Sequence, residues 1–298
     1  MRPLVGVTLG VAAFGAACLG WGLAEAHAFT TRRVSVAVLP RGASPIKVLH
    51  VSDLHMTPSQ RDKVAWAASL ADERPDLVVV TGDNLGHADA VPTVAEALAP
   101  FFGLPGLFVF GSNDYAAPRP VNPLVYFGGP SRLHEARAAL PTESLRKVFT
   151  DAGWADLNNA RTRLTVAGTD VTAVGMDDPH IGRDAMPSAE GERGTLHLGV
   201  VHAPYARALE QLTLDGADIM FAGHTHGGQV CVPGFGALVT NCDLDRRRVK
   251  GLSSWPGEQG DPESTWLHVS AGAGTSPYAP VRFACRPEAT LVTLVARD

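Results

Sequence analysis

The chain has 298 residues, which fits one large domain with a short appendage. Hydrophobic residues make up 45% of it, enough for a substantial core, and its formal net charge is only −5. We expect no nucleic-acid binding, because a nucleic-acid surface requires a marked excess of lysine and arginine. Neither composition nor patterning indicates an oligomeric state.

The N-terminal stretch over residues 3–24 contains 22 residues without a charged side chain. That length suffices to cross a bilayer as a helix. The small residues Ala26 and Ala28, on either side of His27, form a pattern typical of signal-peptide cleavage. Two interpretations therefore stay open, a transmembrane anchor and a secretory signal.

These features divide the chain into three predicted segments. Residues 1–28 are the anchor or signal segment, residues 29–45 form a polar, proline-containing linker, and residues 46–298 form the main domain. The protein is therefore expected to be membrane-associated or exported. Arginines flank the hydrophobic stretch on both sides, so its orientation stays open, with the extracytoplasmic side favoured.

The four cysteines show no Cys-x-x-Cys spacing, so a zinc site built from cysteine is not expected. Cys231 and Cys242 flank a loop rich in proline and glycine that can fold back as a hairpin. In a domain outside the cytoplasm they are candidates for a disulfide, and Cys285 is an alternative partner for either.

Short hydrophobic runs alternate with helical patterns through the first part of the main domain. Strands are predicted over residues 46–52, 76–81 and 107–110, and helices over residues 59–71 and 91–99. The β-branched run before Gly82 is typical of a buried parallel strand. This alternation predicts an α/β fold with a parallel sheet.

The second part begins with an insertion rich in proline and glycine over residues 115–141, a possible lid. Thr142 is predicted as the N-cap of the next helix. Helices are expected over residues 142–152 and 205–214, and strands over residues 161–166, 171–174, 195–201, 218–222, 265–270 and 290–295.

Polar side chains follow the C-terminal ends of five predicted strands. A single aspartate after a strand is usually a helix cap, and two histidines in a glycine-rich turn need have no function. The succession of such residues is harder to explain by caps, and if the backbone is extended, residues i and i+2 reach the same side. The candidate ligands are Asp53, His55, Asp83, Asn113, His202, His224 and His226.

Seven oxygen and nitrogen ligands without cysteine suit two divalent ions such as manganese, iron or zinc. A carboxylate is needed to bridge two cations about 4 Å apart, and Asp83, on the central buried strand, is the natural bridge. Two such ions would polarise a phosphoryl oxygen and activate a bridging hydroxide to attack phosphorus. The pattern therefore favours a metal-dependent hydrolase of phosphoesters.

Five sequence blocks, in this order, resemble those of the calcineurin-like metallophosphoesterase superfamily. They are D-L-H at residues 53–55, G-D at 82–83, G-S-N-D at 111–114, a lone histidine at 202 and G-H-T-H at 223–226. The resemblance extends from about Val48 to the C-terminus. It implies an α/β fold of the four-layer α/β/β/α sandwich type, which an N-terminal hydrophobic helix would precede.

The resemblance also implies how the ligands divide between two metal sites. The first ion would be bound by Asp53, His55, Asp83 and His226, and the second by Asp83, Asn113, His202 and His224. Of these residues, His202 and His224 would also stabilise charge at the phosphorus.

Further motifs look like a branch of membrane-associated bacterial phosphodiesterases. They are G-H-T-H-G-G-Q at residues 223–229, D-D-P at 177–179, G-T-S at 274–276 and P-V-R-F at 280–283. This resemblance implies a phosphodiesterase acting on a membrane- or envelope-associated substrate. The alternative is hydrolysis of the pyrophosphate bond in a UDP-2,3-diacylglucosamine-type molecule.

Two positions depart from the superfamily pattern. The block at residues 82–87 lacks its usual later acid, and Asp114 stands where a histidine usually lies near the leaving group. We hypothesise that Asp114, or His87 or His180 nearby, protonates the leaving alkoxide. Asp114 also supports an alternative of another class, a weakly catalytic, metal-dependent module that binds a phosphorylated ligand.

The remaining histidines have simpler interpretations. Three of them, His50, His197 and His268, lie within strand patterns and are expected to pack or to form hydrogen bonds. His27 and His134 lie in linker or insertion sequence and are expected to be solvated.

Overall fold

The computed structural model describes residues 2–120, 137–189, 191–258, 260–261 and 263–297. Most of the predicted insertion, including His134, lies outside the described residues. The helices are α1 (Arg2–Glu25), α2 (Arg61–Ser69), α3 (Val91–Leu98), α4 (Ser112–Tyr115), α5 (Thr142–Asp151) and α6 (Ala206–Leu214).

The strands fall into two large sheets and one hairpin. Along the chain, the first seven are β1 (Thr30–Leu39), β2 (Ile46–Val51), β3 (Leu77–Thr81), β4 (Gly106–Val109), β5 (Ala155–Asp156), β6 (Ala160–Val166) and β7 (Thr169–Met176). The next seven are β8 (Leu196–Val201), β9 (Ile219–Ala222), β10 (Cys231–Val232), β11 (Gly236–Ala237), β12 (Gly251–Trp255), β13 (Thr265–Val269) and β14 (Glu288–Ala296).

Both large sheets have a parallel centre. The first sheet has the order β1-β14-β2-β3-β4-β5, in which β2 to β5 are parallel and β14 is antiparallel to β2. The second has the order β12-β13-β9-β8-β7-β6, in which β13, β9, β8 and β7 are parallel. The carboxyl ends of β2, β3 and β4, and of β8 and β9, are where the predicted ligands follow.

The side chains of β3 show why the molecule is layered. Val78 and Val80 pack in one core with the helices α2, α3 and α5, whereas Leu77 and Val79 pack in a second core against the other sheet. Successive strand residues point to opposite faces, so a strand buried on both sides must be apolar throughout. A third core joins the second sheet to α6. The predicted mixed α/β fold with two sheets is confirmed.

The predicted linker over residues 29–45 contains a strand. β1 pairs in parallel with β14 along the edge of the first sheet. Its apolar residues alternate, and Val36 and Val38 are buried in the core between the sheets. The arginines and threonines at its start made the segment look like a connection, although an edge strand tolerates polar residues on its open side.

The N-terminal stretch forms α1, and the end of this helix contacts the main domain. The carboxylate of Glu25 accepts hydrogen bonds from the backbone N–H of Cys285 at 2.7 Å and of Ala284 at 3.1 Å. Within the part of the chain that the structure describes, no helix combines the length and the apolar character needed to cross a membrane.

One helix boundary differs from its prediction. Pro141, and not Thr142, is the N-cap of α5. The Thr142 hydroxyl instead donates to the backbone oxygen of Asp114 at 2.7 Å, so it ties α5 to α4. A strand that the sequence did not indicate, β12, pairs antiparallel with β13 and forms one edge of the second sheet.

Candidate metal centre

The predicted ligands meet where the two sheets present the carboxyl ends of their parallel strands. Two groups of metal-binding side chains form there, one of Asp53, His55 and His226, and one of Asp53, Asp83 and His202, with the ligand atoms of each group within 4.8 Å of one another. Open α/β sheets place their ligand sites at this edge because the strand-to-helix loops converge there.

The loops that carry the ligands have an unusual backbone. Five ligand residues have left-handed φ angles: Asp53 (51°), His55 (41°), Asp83 (52°), His224 (67°) and His226 (50°). The extended backbone expected for the His-x-His and Asp-x-His pairs is therefore wrong. Left-handed backbone costs about 1 kcal/mol or more at a residue other than glycine and is concentrated at functional sites. Aspartate and histidine tolerate it better than most residues.

We call the first group the His55–His226 half of the centre. His55 Nε2 lies 3.2 Å from His226 Nε2 and 3.5 Å from Asp83 Oδ2, and His226 Nε2 lies 3.6 Å from Asp53 Oδ1. Ligands bound at about 2.1 Å in a tetrahedral site are about 3.4 Å apart, so this spacing matches that of ligands around one cation.

We call the second group the His202 half. His202 Nε2 lies 3.6 Å from Asp83 Oδ1. Asn113 donates to Asp83 twice, from its backbone N–H at 2.7 Å and from its side-chain Nδ2 at 2.6 Å. The His224 ring stands nearly perpendicular to the His202 ring, with 5.2 Å between centroids. The two oxygens of Asp83 therefore face different halves.

The hydrogen bonds leave imidazole nitrogens available for cations. His202 Nδ1 donates to the backbone oxygen of Thr81 at 2.5 Å, so in the neutral imidazole Nε2 carries the lone pair. That buried Nε2 has no hydrogen-bond partner among the described residues. His226 Nδ1 likewise contacts the backbone oxygen of Gly274 at 3.2 Å, and its Nε2 faces His55. The buried His202 Nε2, which lacks a partner among the described residues, fits a site that is completed by a metal ion.

The electrostatics of the centre also favour cations. Burial lowers the pKa of His202, but the carboxylates of Asp83, Asp178 and Asp53 outweigh it and raise the pKa to about 9. Burial lowers the pKa of His55 to about 4, which keeps this ring neutral and able to bind a metal. The residues present therefore fit a site for divalent cations.

Asp114 does not have the role that the sequence suggested. Its side chain is fully buried and caps α4. One oxygen accepts from the backbone N–H of Asn84 at 2.8 Å and of Leu85 at 3.2 Å, and the other from that of Gly111 at 3.1 Å. Burial and the nearby Asp83 raise the pKa of Asp114 to about 7. A carboxylate occupied by backbone donors does not face a leaving group, so Asp114 as the general acid is a wrong prediction.

The capping role changes how the third block compares with its family pattern. The family pattern for this block is G-N-H followed by an aspartate or glutamate. When residues 111–114 are aligned with it position by position, Asp114 takes the place of the final acid, Ser112 that of the asparagine and Asn113 that of the histidine. Asn113 is still the residue whose side chain reaches Asp83. The histidine is absent in this register too, so the observation behind the weakly catalytic binding module now concerns Asn113 and not Asp114.

The two histidines proposed beside Asp114 lie in different surroundings. His180 lies against the centre, with its ring centroid 4.7 Å from that of His224 and its Nδ1 3.0 Å from the Tyr205 hydroxyl. The side chain of His87 is 53% exposed and accepts a hydrogen bond from the backbone of Asp89, so it caps a short helical turn.

Arg282 is a functional candidate that the sequence analysis did not single out. Its guanidinium is fully buried and donates to the backbone oxygens of Ala271 at 2.7 Å, Gly272 at 3.0 Å and Gly274 at 2.7 Å. This fixes the loop whose Gly274 oxygen contacts His226. In the sequence, Arg282 could have been found through the P-V-R-F motif. The resemblance includes this motif but assigns no role to its arginine.

Two further charged residues lie beside the His202 half. Arg137 donates to Asn113 Oδ1 at 2.6 Å, and the backbone oxygens of Ala116 and Ala117 hold its guanidinium. Asp178 is buried, its Oδ2 has no hydrogen-bond partner within the described residues, and burial raises its pKa to about 7. The D-D-P motif pointed to Asp178, but no pattern marked Arg137.

The cysteines are free, and the Cys231–Cys242 disulfide is not present. Cys242 packs in the core beside α6, whereas Cys231 and Cys285 share a separate small core. Both thiols contact the backbone oxygen of Gly227, Cys231 at 3.3 Å and Cys285 at 3.5 Å. Interaction with Cys231 and the charge of Arg282 lower the pKa of Cys285 to about 6. Cys285 is therefore the neighbour of Cys231.

The simpler interpretations of the other described histidines are confirmed. His197 is buried and contacts Thr172 Oγ1 at 2.9 Å and Asp215 Oδ2 at 2.8 Å. His50 and His268 are buried and contact each other through their Nδ1 atoms at 2.8 Å. The side chain of His27 is 64% exposed.

Comparisons with known proteins agree with this centre. The sequence profile described as Calcineurin-like phosphoesterase matches residues 46–228. The phosphodiesterase YaeI of Escherichia coli is 29% identical over 279 residues, which cover 90% of this chain and 88% of YaeI. The metallophosphoesterase YkuE of Bacillus subtilis is 25% identical over 280 residues, 89% of this chain and 84% of YkuE.

A vertebrate relative is longer. A Danio rerio protein described as a transmembrane protein with a metallophosphoesterase domain is 27% identical over 277 residues, 88% of this chain and 56% of its own length.

Because the matched profile spans more than half of the chain, the chain belongs to the calcineurin-like phosphoesterase family. It is a metal-dependent phosphoester hydrolase.

Proposed function

We propose that the protein is a phosphodiesterase that uses two divalent cations, one in each half of the centre. The observation that carries this proposal is Asp83, whose Oδ2 lies 3.5 Å from His55 and whose Oδ1 lies 3.6 Å from His202. A carboxylate that faces two groups of ligands is what a bridging ligand requires. Asp53, His55 and His226 would complete one site, and Asn113, His202 and His224 the other.

When bound, the two cations would supply Lewis-acid polarisation of the phosphoryl group and of the attacking water. The chain itself contributes rigid positions for the ligands. Thr81 orients His202 through its backbone oxygen, and the backbone oxygen of Asn241 contacts His224 Nε2 at 3.1 Å. Contacts of this kind fix ring orientation and increase the basicity of a ligand.

Arg137 supplies a positive charge on the substrate side of Asn113. Its contact with Asn113 Oδ1 places the guanidinium beside the metal centre, and the side chain is only partly buried. A guanidinium presents paired donors that match phosphate oxygens. We propose that Arg137 binds a non-bridging phosphate oxygen and stabilises the charge that develops there.

His180 is the remaining candidate for the leaving-group acid. It lies against His224, and burial is the main cause that lowers its pKa. The Tyr205 hydroxyl at 3.0 Å holds the ring in place. Replacing His180 with glutamine should slow hydrolysis of esters with poor leaving groups more than that of p-nitrophenyl esters. An equal effect on both classes would remove His180 from this role.

For the substrate, we propose a phosphodiester at a membrane or in the cell envelope. The similarity to YaeI, which is named a phosphodiesterase, supports the diester. The uncharged stretch before Glu25 and the similarity to a protein described as transmembrane support the location. Fractionation of cells that produce the full chain would test the location, and recovery in the soluble cytoplasmic fraction would contradict it.

The test of activity is turnover of bis-p-nitrophenyl phosphate by the purified full chain with and without Mn²⁺. We expect metal-dependent turnover that exceeds the rate on the monoester p-nitrophenyl phosphate. Replacing Arg137 with glutamine should lower kcat/KM by about 100-fold, the usual effect of losing one electrostatic group. Arg163, an exposed arginine paired with Asp170, is the matched control. Metal-loaded protein without turnover on either ester would contradict the proposal.

A further inference from the structure

We propose that Ser52, Thr81, His50 and His268 form a hydrogen-bonded relay that orients the Asp53 carboxylate for cation binding. This inference rests on the proposed metal-binding function of Asp53. The four residues come from both sheets: His50 lies on β2, Thr81 ends β3 and His268 lies on β13, while Ser52 follows β2.

The relay is continuous and ends at the metal centre. His268 Nδ1 lies 2.8 Å from His50 Nδ1, and His50 Nε2 lies 2.9 Å from Thr81 Oγ1. Thr81 Oγ1 donates to Ser52 Oγ at 2.7 Å, and Ser52 Oγ donates to Asp53 Oδ2 at 2.5 Å. Every member is buried, with His268 the most exposed at 1%.

The direction of the relay follows from its last member. An ionised carboxylate only accepts, so Ser52 must donate to Asp53. The Ser52 oxygen then accepts from Thr81, and the Thr81 oxygen accepts from His50 Nε2. His50 Nδ1 is left without a proton and accepts from His268 Nδ1. Each donor therefore points toward Asp53, and both imidazole tautomers are fixed.

This assignment requires both imidazoles to be neutral, which their surroundings ensure. Burial lowers the pKa of His268 to about 3, and burial together with His268 lowers the pKa of His50 well below its usual value. Aligned hydrogen bonds in a region of low dielectric constant polarise one another, so the Ser52 hydroxyl becomes a stronger donor than an isolated one.

The last contact distinguishes the two oxygens of Asp53. Oδ2 accepts from the Ser52 hydroxyl, and the His224 backbone nitrogen lies 3.1 Å from Oδ2 and 3.2 Å from Oδ1. Oδ1 also faces His226 Nε2 at 3.6 Å. Gly223 leaves room for the hydroxyl, since a Cβ there would lie 1.9 Å from Ser52 Oγ. The carboxylate is therefore held with Oδ1 toward the cation.

A purely structural role explains the relay less well. The core between the sheets is otherwise formed mainly by apolar side chains such as Val48 and Val79, which fill space without polar groups. Burying polar side chains is costly unless every partner is present, and His268 Nε2 has no partner among the described residues. The relay therefore costs stability, because it buries polar side chains. Its orientation of Asp53, a proposed metal ligand, accounts for why these polar side chains are there.

The sharpest test replaces Thr81 with valine, which has the same shape but no hydroxyl. Cation binding is measured on the full chain by calorimetric titration of the metal-free protein with Mn²⁺. We expect one of the two binding steps to weaken by about 10- to 100-fold, as for other groups that orient metal ligands, and the other step to stay within about threefold. Thr81→Ser, which keeps the hydroxyl, should restore the affinity.

Thr290 provides the matched control. It is fully buried on β14 directly opposite His50 on β2, and its hydroxyl has no hydrogen-bond partner among the described residues. Thr290→Val should leave both binding steps unchanged. Ser52→Ala, which removes a single oxygen, should reproduce the effect of Thr81→Val. If Thr81→Val does not fold, the Mn²⁺ affinities of Ser52→Ala test whether the relay orients Asp53.

The possible outcomes separate this inference from the proposed function. If the unaltered protein binds no Mn²⁺, the proposed two-cation function itself is wrong. If it binds two ions and both Thr81→Val and Ser52→Ala bind them with the same affinities, the relay does not orient Asp53. If Thr290→Val weakens binding as much as Thr81→Val, the effect arises from packing between the sheets, and the inference is overturned.

Discussion

The two halves of the centre differ in how completely the protein holds them. In the His55–His226 half, protein groups fix two of the ligands: Ser52 holds Asp53, and the Arg282-supported loop holds His226. In the His202 half, the Thr81 carbonyl holds His202 and the Asn241 carbonyl contacts His224, but the side-chain oxygen of Asn113 is engaged by Arg137.

This comparison indicates different tasks for the two halves. Preorganised ligands bind a cation without paying for their own ordering, so the His55–His226 half should bind its cation more tightly. The His202 half lies beside the partly exposed Arg137 and next to His180, where a phosphate can approach. We infer that the first half is a permanent site and the second half the one that responds to substrate.

Replacing Asp83 with alanine should have the largest effect, because its two carboxylate oxygens face His55 in one half and His202 in the other. We expect the loss of both cations and a fall in turnover of more than about 1000-fold, since the loss of one electrostatic group alone costs about 100- to 1000-fold. Elemental analysis and turnover of bis-p-nitrophenyl phosphate measure the two effects. Asp151→Ala is the control, because Asp151 is an exposed partner of Lys147. Retained activity in Asp83→Ala would refute the two-cation centre.

Single substitutions in each half should separate the two affinities. His55→Ala should abolish the tighter of two Mn²⁺-binding steps, and His202→Ala the weaker one, because each removes a ligand from one half only. Titration calorimetry distinguishes the steps. Loss of the same step in both variants would show that the halves do not bind independently, and the comparison would fail.

Asp114→Asn tests whether this residue is a cap or an acid. The amide keeps one acceptor but replaces the other with a donor facing backbone N–H groups, so the free energy of unfolding should fall by about 1–3 kcal/mol. Denaturant titration measures this change. The ratio of rates for p-nitrophenyl and poor alkoxide leaving groups should stay unchanged in the folded variant. A selective loss on the poor leaving group would restore Asp114 as the acid.

The smallest expected effect concerns the dependence of stability on pH. The folded protein holds His268 neutral, with a pKa of about 3, whereas the unfolded chain protonates it near its usual pKa of about 6.5. Below about pH 6 the unfolded state therefore binds one more proton, and this residue lowers stability by about 1.4 kcal/mol per pH unit. His268→Gln should remove that contribution. Between roughly pH 6 and pH 4, which lies below the pKa of the unfolded histidine, the free energy of unfolding should then fall less steeply with decreasing pH, by about 1.4 kcal/mol per pH unit. Equal slopes in urea titrations would mean that His268 is charged in the fold.

The seven ligands were predictable from the sequence because they follow the ends of five strands, in loops whose glycines and polar residues carry a recognisable pattern. Asp53, Asp83 and His202 meet because parallel strands deliver their carboxyl ends to one edge of a sheet. The two-sheet α/β fold followed from the same alternation. The strand β1 was missed because an edge strand needs apolar residues on one face only.

The supporting contacts were not predictable, since they join residues that are far apart in the chain. His50 and His268 are separated by 218 positions, and Arg282 lies 56 positions from His226. No local pattern marks such a pair. The misassigned role of Asp114 has a different origin, because an aspartate after a strand has the same sequence signature as a cap and as a catalytic acid.

The most direct test of the account is a crystal structure of the protein grown with Mn²⁺ and analysed by anomalous scattering. We predict two peaks about 4 Å apart on either side of the Asp83 carboxylate, one between His55 and His226 and one beside His202. A single peak, or peaks away from Asp83, would contradict the two-cation centre.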